Sequence, residues 1–323
     1  MNDVKIAYSD FPASNYEHFY ITEAMRSFCN PVISDDPDIV FYSCYARGHM
    51  RFRDVVKVFF NGENVHPDFN ECDYAISCQP MRYGNRYFRL TEMALHLDES
   101  VNDRSALSVG DKSRFCNFIY SNDHVEQEGA RLRMEFCRLL SRYKSVDCPG
   151  RVLHNMEAPE LVGRLDGARS SSKVAFIRRY KFTIAWENTY GEGYVTEKLA
   201  EPLMAGSVPI YWGSVPEFVN PKAIVDVSKF SDLNEVVDYV RYLDQDDEAY
   251  QAMLATPPIL PSYNFQWRDE LALFLRQIVD SGFAKRAKSP MNYDSVAVAL
   301  RALRKRKSVL RRWVGDLCGL FRR

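Results

Sequence analysis

The stretch from Phe182 to Gly213 constrains the fold more than any other part of the chain. An apolar run at 182–186 leads into a turn carrying Gly191 and Gly193, then a helical pattern at 195–204, then a second apolar run at 208–212. This order is a βαβ unit, and its repetition along the chain is the signature of an α/β fold with parallel sheets. In the first third, strands are predicted at 4–8, 39–43, 55–60, 74–77 and 86–90, with a helix at 17–28. A polar segment at 98–113 without clear periodicity reads as a linker. The pattern restarts with a strand at 115–120 and a helix at 125–143. After the βαβ unit come a strand at 224–227 and helices at 233–243, 248–254 and 267–279. At 323 residues the chain exceeds one comfortable core. The expectation is therefore an α/β protein of two doubly wound domains, 1–112 and 113–290, with a separate tail at 291–323. Ligands of such a pair sit at the carboxyl ends of the strands, in the cleft between the sheets.

Composition narrows the classes. Hydrophobic residues at 46% and charged residues at 26% exclude a disordered or fibrous chain. The 8 cysteines are scattered, without short paired spacing, which points to a reduced compartment. The start, Met1-Asn2-Asp3-Val4-Lys5-Ile6, lacks the features of an export signal and reads as a first strand. With no run of about 18 apolar residues, a membrane-spanning helix is not expected. The expected location is cytoplasmic. The 6 histidines show no ligand spacing, and neither a Gly-x-Gly-x-x-Gly fingerprint nor a Gly-x-Ser-x-Gly elbow occurs. Structural zinc, NAD chemistry and ordinary α/β-hydrolase chemistry are thus unsupported.

The turn at 187–198 has a chemical use. Free N–H groups at a helix start attract phosphate, two glycines let backbone approach a ligand, and Lys198 adds a full positive charge. Glu197 beside it can accept hydrogen bonds from sugar hydroxyls. A tight βα turn bearing a solvated Glu–Lys pair remains the alternative on these residues alone.

The block Trp186-Glu187-Asn188, Gly191-Glu192-Gly193-Tyr194-Val195-Thr196-Glu197-Lys198 and Val208-Pro209-Ile210-Tyr211-Trp212-Gly213-Ser214 resembles the donor-binding signature of the α-1,3/1,4-fucosyltransferases, glycosyltransferase family 10. The similarity continues through 218–222 and reaches Gly62-Glu63-Asn64 in the first half. It implies the two-Rossmann GT-B architecture and transfer of L-fucose from GDP-fucose, with inversion, to a hydroxyl of N-acetylglucosamine or glucose. Such a displacement needs a base for the acceptor proton, a stabilised diphosphate and help for positive charge on the sugar ring.

Residue by residue, the resemblance implies that Glu63 is the catalytic base, although Asn-Gly-Glu-Asn is also good turn chemistry by itself. Arg133 and Lys198 become the diphosphate clamps, Arg131 being the rival for the first role and a solvated helix face the alternative for either. Asn188 and Tyr194 hold the donor, and Glu197 meets sugar hydroxyls or the developing cationic centre. Glu187 is expected in the same pocket. Asp36-Pro37-Asp38 and Asp244-Gln245-Asp246 have the look of a metal-binding Asp-x-Asp, but loop solvation or helix capping accounts for both. Two basic residues and a helix N-terminus offset the diphosphate, so no obligatory metal is expected.

The tail differs from the body. Residues 301–323 hold nine Lys/Arg and one Asp, whereas the rest of the chain is acidic. Leu303, Leu310, Val314, Leu317 and Phe321 share one helical stripe flanked by Arg304, Lys305, Lys307, Arg311 and Arg312. A basic amphipathic helix with Trp313 beside the stripe reads as an anchor to an anionic membrane surface through residues 300–323. Packing back on the body is the alternative. Nucleic acid is not an expected partner, because the body is acidic. The sequence therefore points to a peripheral inner-membrane fucosyltransferase building a cell-surface glycan such as a Lewis-type O-antigen. A same-fold transferase using another nucleotide sugar, or a non-catalytic glycan-binding or scaffolding protein on a decayed fold, stays open.

Overall fold

The protein is described by a computed structural model covering residues 1–11, 16–161 and 167–286. The first sheet has six parallel strands in the order β2-β1-β3-β4-β5-β6. They are β1 (Asp3–Ser9), β2 (Asn30–Ile33), β3 (Ile39–Tyr42), β4 (Val56–Phe60), β5 (Tyr74–Ser77) and β6 (Tyr87–Arg89). Every residue of β3 and β5 is buried, as expected of inner parallel strands covered on both faces. Helix α1 (Tyr20–Arg26) covers one face through Ile21 and Met25.

The second sheet is also parallel, with five strands in the order β11-β10-β9-β7-β8. These are β7 (Arg114–Asn117), β8 (Val146–Asp147), β9 (Tyr180–Trp186), β10 (Val208–Trp212) and β11 (Val225–Asp226). Helices α3 (Glu128–Leu140), α4 (Gly167–Ile177), α5 (Glu197–Ala205), α6 (Leu233–Gln245) and α7 (Asp247–Leu254) belong to this lobe. Register pairs Phe182 with Val208 and Trp186 with Trp212, so the central strands finish level and deliver residues 187 and 213 to one edge. Helix α5 starts on a Thr196 cap and stops at Gly206, whose φ of 66° a side chain would resist.

Two segments pack across between the lobes. Helix α8 (Trp267–Asp280), assigned from sequence to the second domain, buries Trp267, Leu271, Leu275 and Ile278 among Val4, Ile6 and Met25 of the first. Conversely, α2 (Glu92–His96), at the end of the first domain, buries Met93 against Val195 and Leu199 of the second. The polar segment at 98–113 is not a slack linker. Val101 is buried in that same cluster, Arg104 donates to the Leu203 carbonyl at 2.8 Å, and Asn102 exchanges two 3.0 Å hydrogen bonds with Ile259. The sequence reading missed β2, β8, α2 and α4. Among the described residues no helix is long and apolar enough to cross a membrane. The tail at 291–323 lies outside the described residues.

Candidate active site

The first-lobe half of the site grows from the carboxyl end of β4. Buried Asn61 donates from its side-chain amide to the Glu63 carbonyl at 2.8 Å, which pins the turn and aims the Glu63 side chain into the cleft. Tyr45, from the loop after β3, donates to Glu63 Oε1 at 2.9 Å, and Tyr194 donates to Oε2 at 3.3 Å. Beside Glu63 opens a cavity of about 430 Å³, walled by Phe11, Phe19, Tyr20 and Phe60 and edged by Ser43, Glu92 and His96. Apolar walls with a few polar groups are the usual make-up of a small-ligand site.

The second-lobe half is the junction of β9 with α5. Glu187 is fully buried and accepts from the Thr196 backbone N–H at 2.9 Å and from its hydroxyl at 2.9 and 3.1 Å. It therefore ties the strand end to the helix cap beneath the cleft and does not face the pocket as expected. Lys198 Nζ lies 3.4 Å from Glu187 Oε2, 3.4 Å from Glu197 Oε1 and 3.0 Å from the Thr196 hydroxyl. Burial works against the ammonium, but Glu197 and Glu187 more than offset it and hold Lys198 well above the usual lysine range. Burial pushes the Glu197 carboxyl up, while Lys198 and then Lys173 of α4 prevail and leave it below the ordinary carboxylate range. Lys173 is itself ion-paired to Glu201.

Arg133 of α3 is completely buried. Its guanidinium donates to Asn188 Oδ1 at 2.8 Å, to the Asn122 carbonyl at 2.6 Å and, more weakly, to the Trp186 carbonyl at 3.4 Å. It lies 3.9 Å over the Tyr120 ring, and Nε has no hydrogen-bond partner. The expected clamp thus holds Asn188 and the 122 loop and presents no face to solvent. The rival, Arg131, is half exposed and paired with Glu135 one turn along the helix.

The lobes meet through the two short motifs. Asn64 donates to Thr189 Oγ1 and to the Tyr190 carbonyl, each at 3.1 Å. A Cβ on Gly191 would stand 2.3 Å from Asn64 Oδ1, and one on Gly193, where φ is +79°, would stand 2.4 Å from the Cys78 carbonyl. The glycines expected to admit a ligand instead admit the first lobe. Tyr194, between Gly193 and the α5 cap, is buried and spends its hydroxyl on Glu63. The candidate base and the candidate donor turn are therefore in direct contact.

Sequence reasoning missed Tyr45, Glu92 and Lys173, and did not single out Asn64 within its motif. Tyr45 and Glu92 carry no spacing signal, since only the folding of a loop and of helix α2 brings them to the Glu63 turn. Among the described residues no three His, Cys, Asp or Glu side chains form a group able to hold a metal ion. Asp244 accepts from Lys144 at 2.9 Å and Tyr143 at 3.0 Å, Asp246 caps α7, and Asp38 accepts from the Lys5 N–H at 2.9 Å.

Two parallel-sheet lobes closing on one cleft make the GT-B architecture of glycosyltransferases, with a strand-end carboxylate in one lobe and a cation-bearing helix start in the other. Residues 109–281 match the glycosyltransferase family 10 (fucosyltransferase) C-terminal domain, and residues 6–96 match the α-(1,3)-fucosyltransferase FucT N-terminal domain. The chain belongs to glycosyltransferase family 10. It is 30% identical over 236 residues to an α-(1,3)-fucosyltransferase FucT of Helicobacter pylori, covering 66% of this chain and 49% of that one. It is 36% identical over 126 residues to GDP-fucose protein O-fucosyltransferase 3 of Gallus gallus, covering 38% and 26% respectively. The chain thus spans half or less of the length of these relatives. A crystal structure of an α1,3-fucosyltransferase with GDP superposes with a TM-score of 0.72 at 24% identity, covering 90% of this chain and 93% of that one.

Proposed function

We propose that the protein transfers L-fucose from GDP-fucose, with inversion, to the 3-hydroxyl, or the 4-hydroxyl, of N-acetylglucosamine or glucose in a cell-surface glycan. The observation that carries this reading is the hydrogen bond from Tyr194 to Glu63. It joins the strand-end carboxylate of one lobe to the glycine turn and helix start of the other, leaving a sugar-sized cavity beside the carboxylate.

In the proposed reaction Glu63 takes the acceptor proton as the acceptor oxygen bonds to the fucose anomeric carbon. The bond from that carbon to the diphosphate breaks, and GDP departs toward Lys198 and the first amides of α5. Glu197, held ionised by Lys198 and Lys173, is assigned the stabilisation of positive charge on the ring. Arg133 acts by orienting Asn188. The cation and the helix amides carry the leaving-group charge without an obligatory metal, so transfer should survive chelation by EDTA.

The test is transfer from GDP-fucose to an acceptor panel, with product linkage read by NMR. Glu63→Ala is expected to lose about 10²- to 10⁴-fold in rate while keeping GDP-fucose affinity, and Lys198→Ala to lose both. Transfer by the Glu63 variant at the parent rate would remove the base assignment, and release of GDP from no nucleotide sugar would remove the enzyme reading. The basic stripe at 300–323 supports a peripheral position at the cytoplasmic face of the inner membrane on its sequence alone. Truncation after residue 290 should abolish co-sedimentation with anionic vesicles. Binding that persists without the tail would refute this placement.

A further inference from the structure

Glu92 is the one carboxyl lining the cavity beside Glu63 that the mechanism leaves unused. It opens α2, the short helix that crosses to the second lobe, and its side chain returns under the Glu63 turn. A Cβ on Gly62 would come within 3.2 Å of Glu92 Oε2, so the glycine before the base leaves the volume that this carboxyl fills. Among the described residues no hydrogen bond to the Glu92 carboxyl is found, although the surrounding groups are otherwise paired. Tyr45 and Tyr194 serve Glu63, and Thr196 serves Glu187 and Lys198. The Glu92 carboxyl is partly buried and lines the cavity, so its hydrogen-bonding capacity is open to a ligand.

The surroundings set the form of that partner. Burial first, and then the charge of Glu197, push the Glu92 carboxyl well above the ordinary range, with Lys198 opposing. A protonated carboxyl is a hydrogen-bond donor as well as an acceptor. An anionic ligand group would meet Glu63 and Glu197 unfavourably, which leaves a neutral hydroxyl. The cavity's aromatic walls, Phe11, Phe19, Tyr20 and Phe60, come from the first lobe, away from Lys198, and suit the apolar face of a pyranose.

We propose that Glu92 is a substrate-contacting residue that hydrogen-bonds a hydroxyl of the acceptor sugar, neighbouring the hydroxyl that Glu63 deprotonates. This rests on the transferase reading above and adds to it a determinant of acceptor binding. Because α2 packs on α5, the same residue couples the acceptor cavity to the helix that faces the donor.

The test uses the full chain, GDP-fucose, and N-acetyllactosamine, lactose and N-acetylglucosamine as acceptors. Glu92→Leu is expected to raise the acceptor KM about tenfold with the GDP-fucose KM unchanged, as befits one lost neutral hydrogen bond. Glu92→Gln, which keeps a hydrogen-bonding group at the same reach, should return the acceptor KM to near the parent value. Glu92→Asp, one methylene shorter, should not. An unchanged acceptor KM in Glu92→Leu, or a Glu92→Gln variant as impaired as Glu92→Leu, overturns the inference. If the leucine variant does not fold, the contrast between Gln and Asp decides alone. Transfer by the parent to no acceptor defeats the transferase reading and this inference with it, whereas a parent that transfers normally beside silent Glu92 variants defeats the inference only.

Discussion

At the residue scale, Arg133 separates what a motif marks from what a side chain does. The family resemblance implies a phosphate ligand there, yet its guanidinium is enclosed and bonded to three protein oxygens. Arg133→Leu should strand those acceptors at about 1–3 kcal/mol for each that stays unsatisfied, so the melting temperature and GDP affinity should fall together. Arg131→Ala removes only an exposed helix pair, worth about 0.3–0.5 kcal/mol, and should change neither. Melting curves and calorimetric GDP titrations of the two variants check this, and a reversed order would restore Arg131 as the phosphate ligand. Glu187 teaches the same lesson. It stands in the signature beside Asn188, but it serves the Thr196 cap, because the end of β9 points it under α5 and not over it.

At the scale of elements, the glycine turn before α5 is a seam between lobes. At 193 the chain runs against the Cys78 backbone with a left-handed φ, which only a residue without Cβ fits, and at 191 a Cβ would have to displace the Asn64 side chain. Gly193→Ala meets both a left-handed φ and the Cys78 carbonyl, and should lower the melting temperature and raise the GDP-fucose KM by displacing Tyr194 from Glu63. Gly110→Ala, whose Cβ would meet only Ser108 Oγ at 3.5 Å, is the matched control. Equal behaviour of the two variants would mean that the seam tolerates separation. The strands at 74–77 and 208–212 were legible because buried parallel strands are continuous apolar runs. Edge strand β2 carries Pro31 and exposed residues, and β8 has two residues, so neither gives a periodic signal.

For the whole molecule, the lobes are interleaved and not merely joined. Helix α8 returns across the chain to close the core of the first sheet, while α2 leaves that lobe to pack on α5. Leu271→Ala, at a fully buried α8 position, should cost about 2–5 kcal/mol. The loss of hydrogen-exchange protection should appear in β1, β3 and β4, far along the sequence, and spare β9 and β10. Loss confined to the second sheet would contradict the crossing.

What the sequence determined by itself was the alternation of apolar periods, hence two parallel sheets, and a strand–turn–helix unit distinctive enough to resemble one family. Those are local properties, written in residues close along the chain. Tertiary structure alone decided which lobe α8 completes, that the turn glycines face protein, that Glu187 and Arg133 lie beneath the cleft, and that Tyr45, Glu92 and Tyr194 gather around Glu63. Each of these depends on contacts between segments far apart in sequence, where side-chain pattern fixes which face is buried but not what it is buried against.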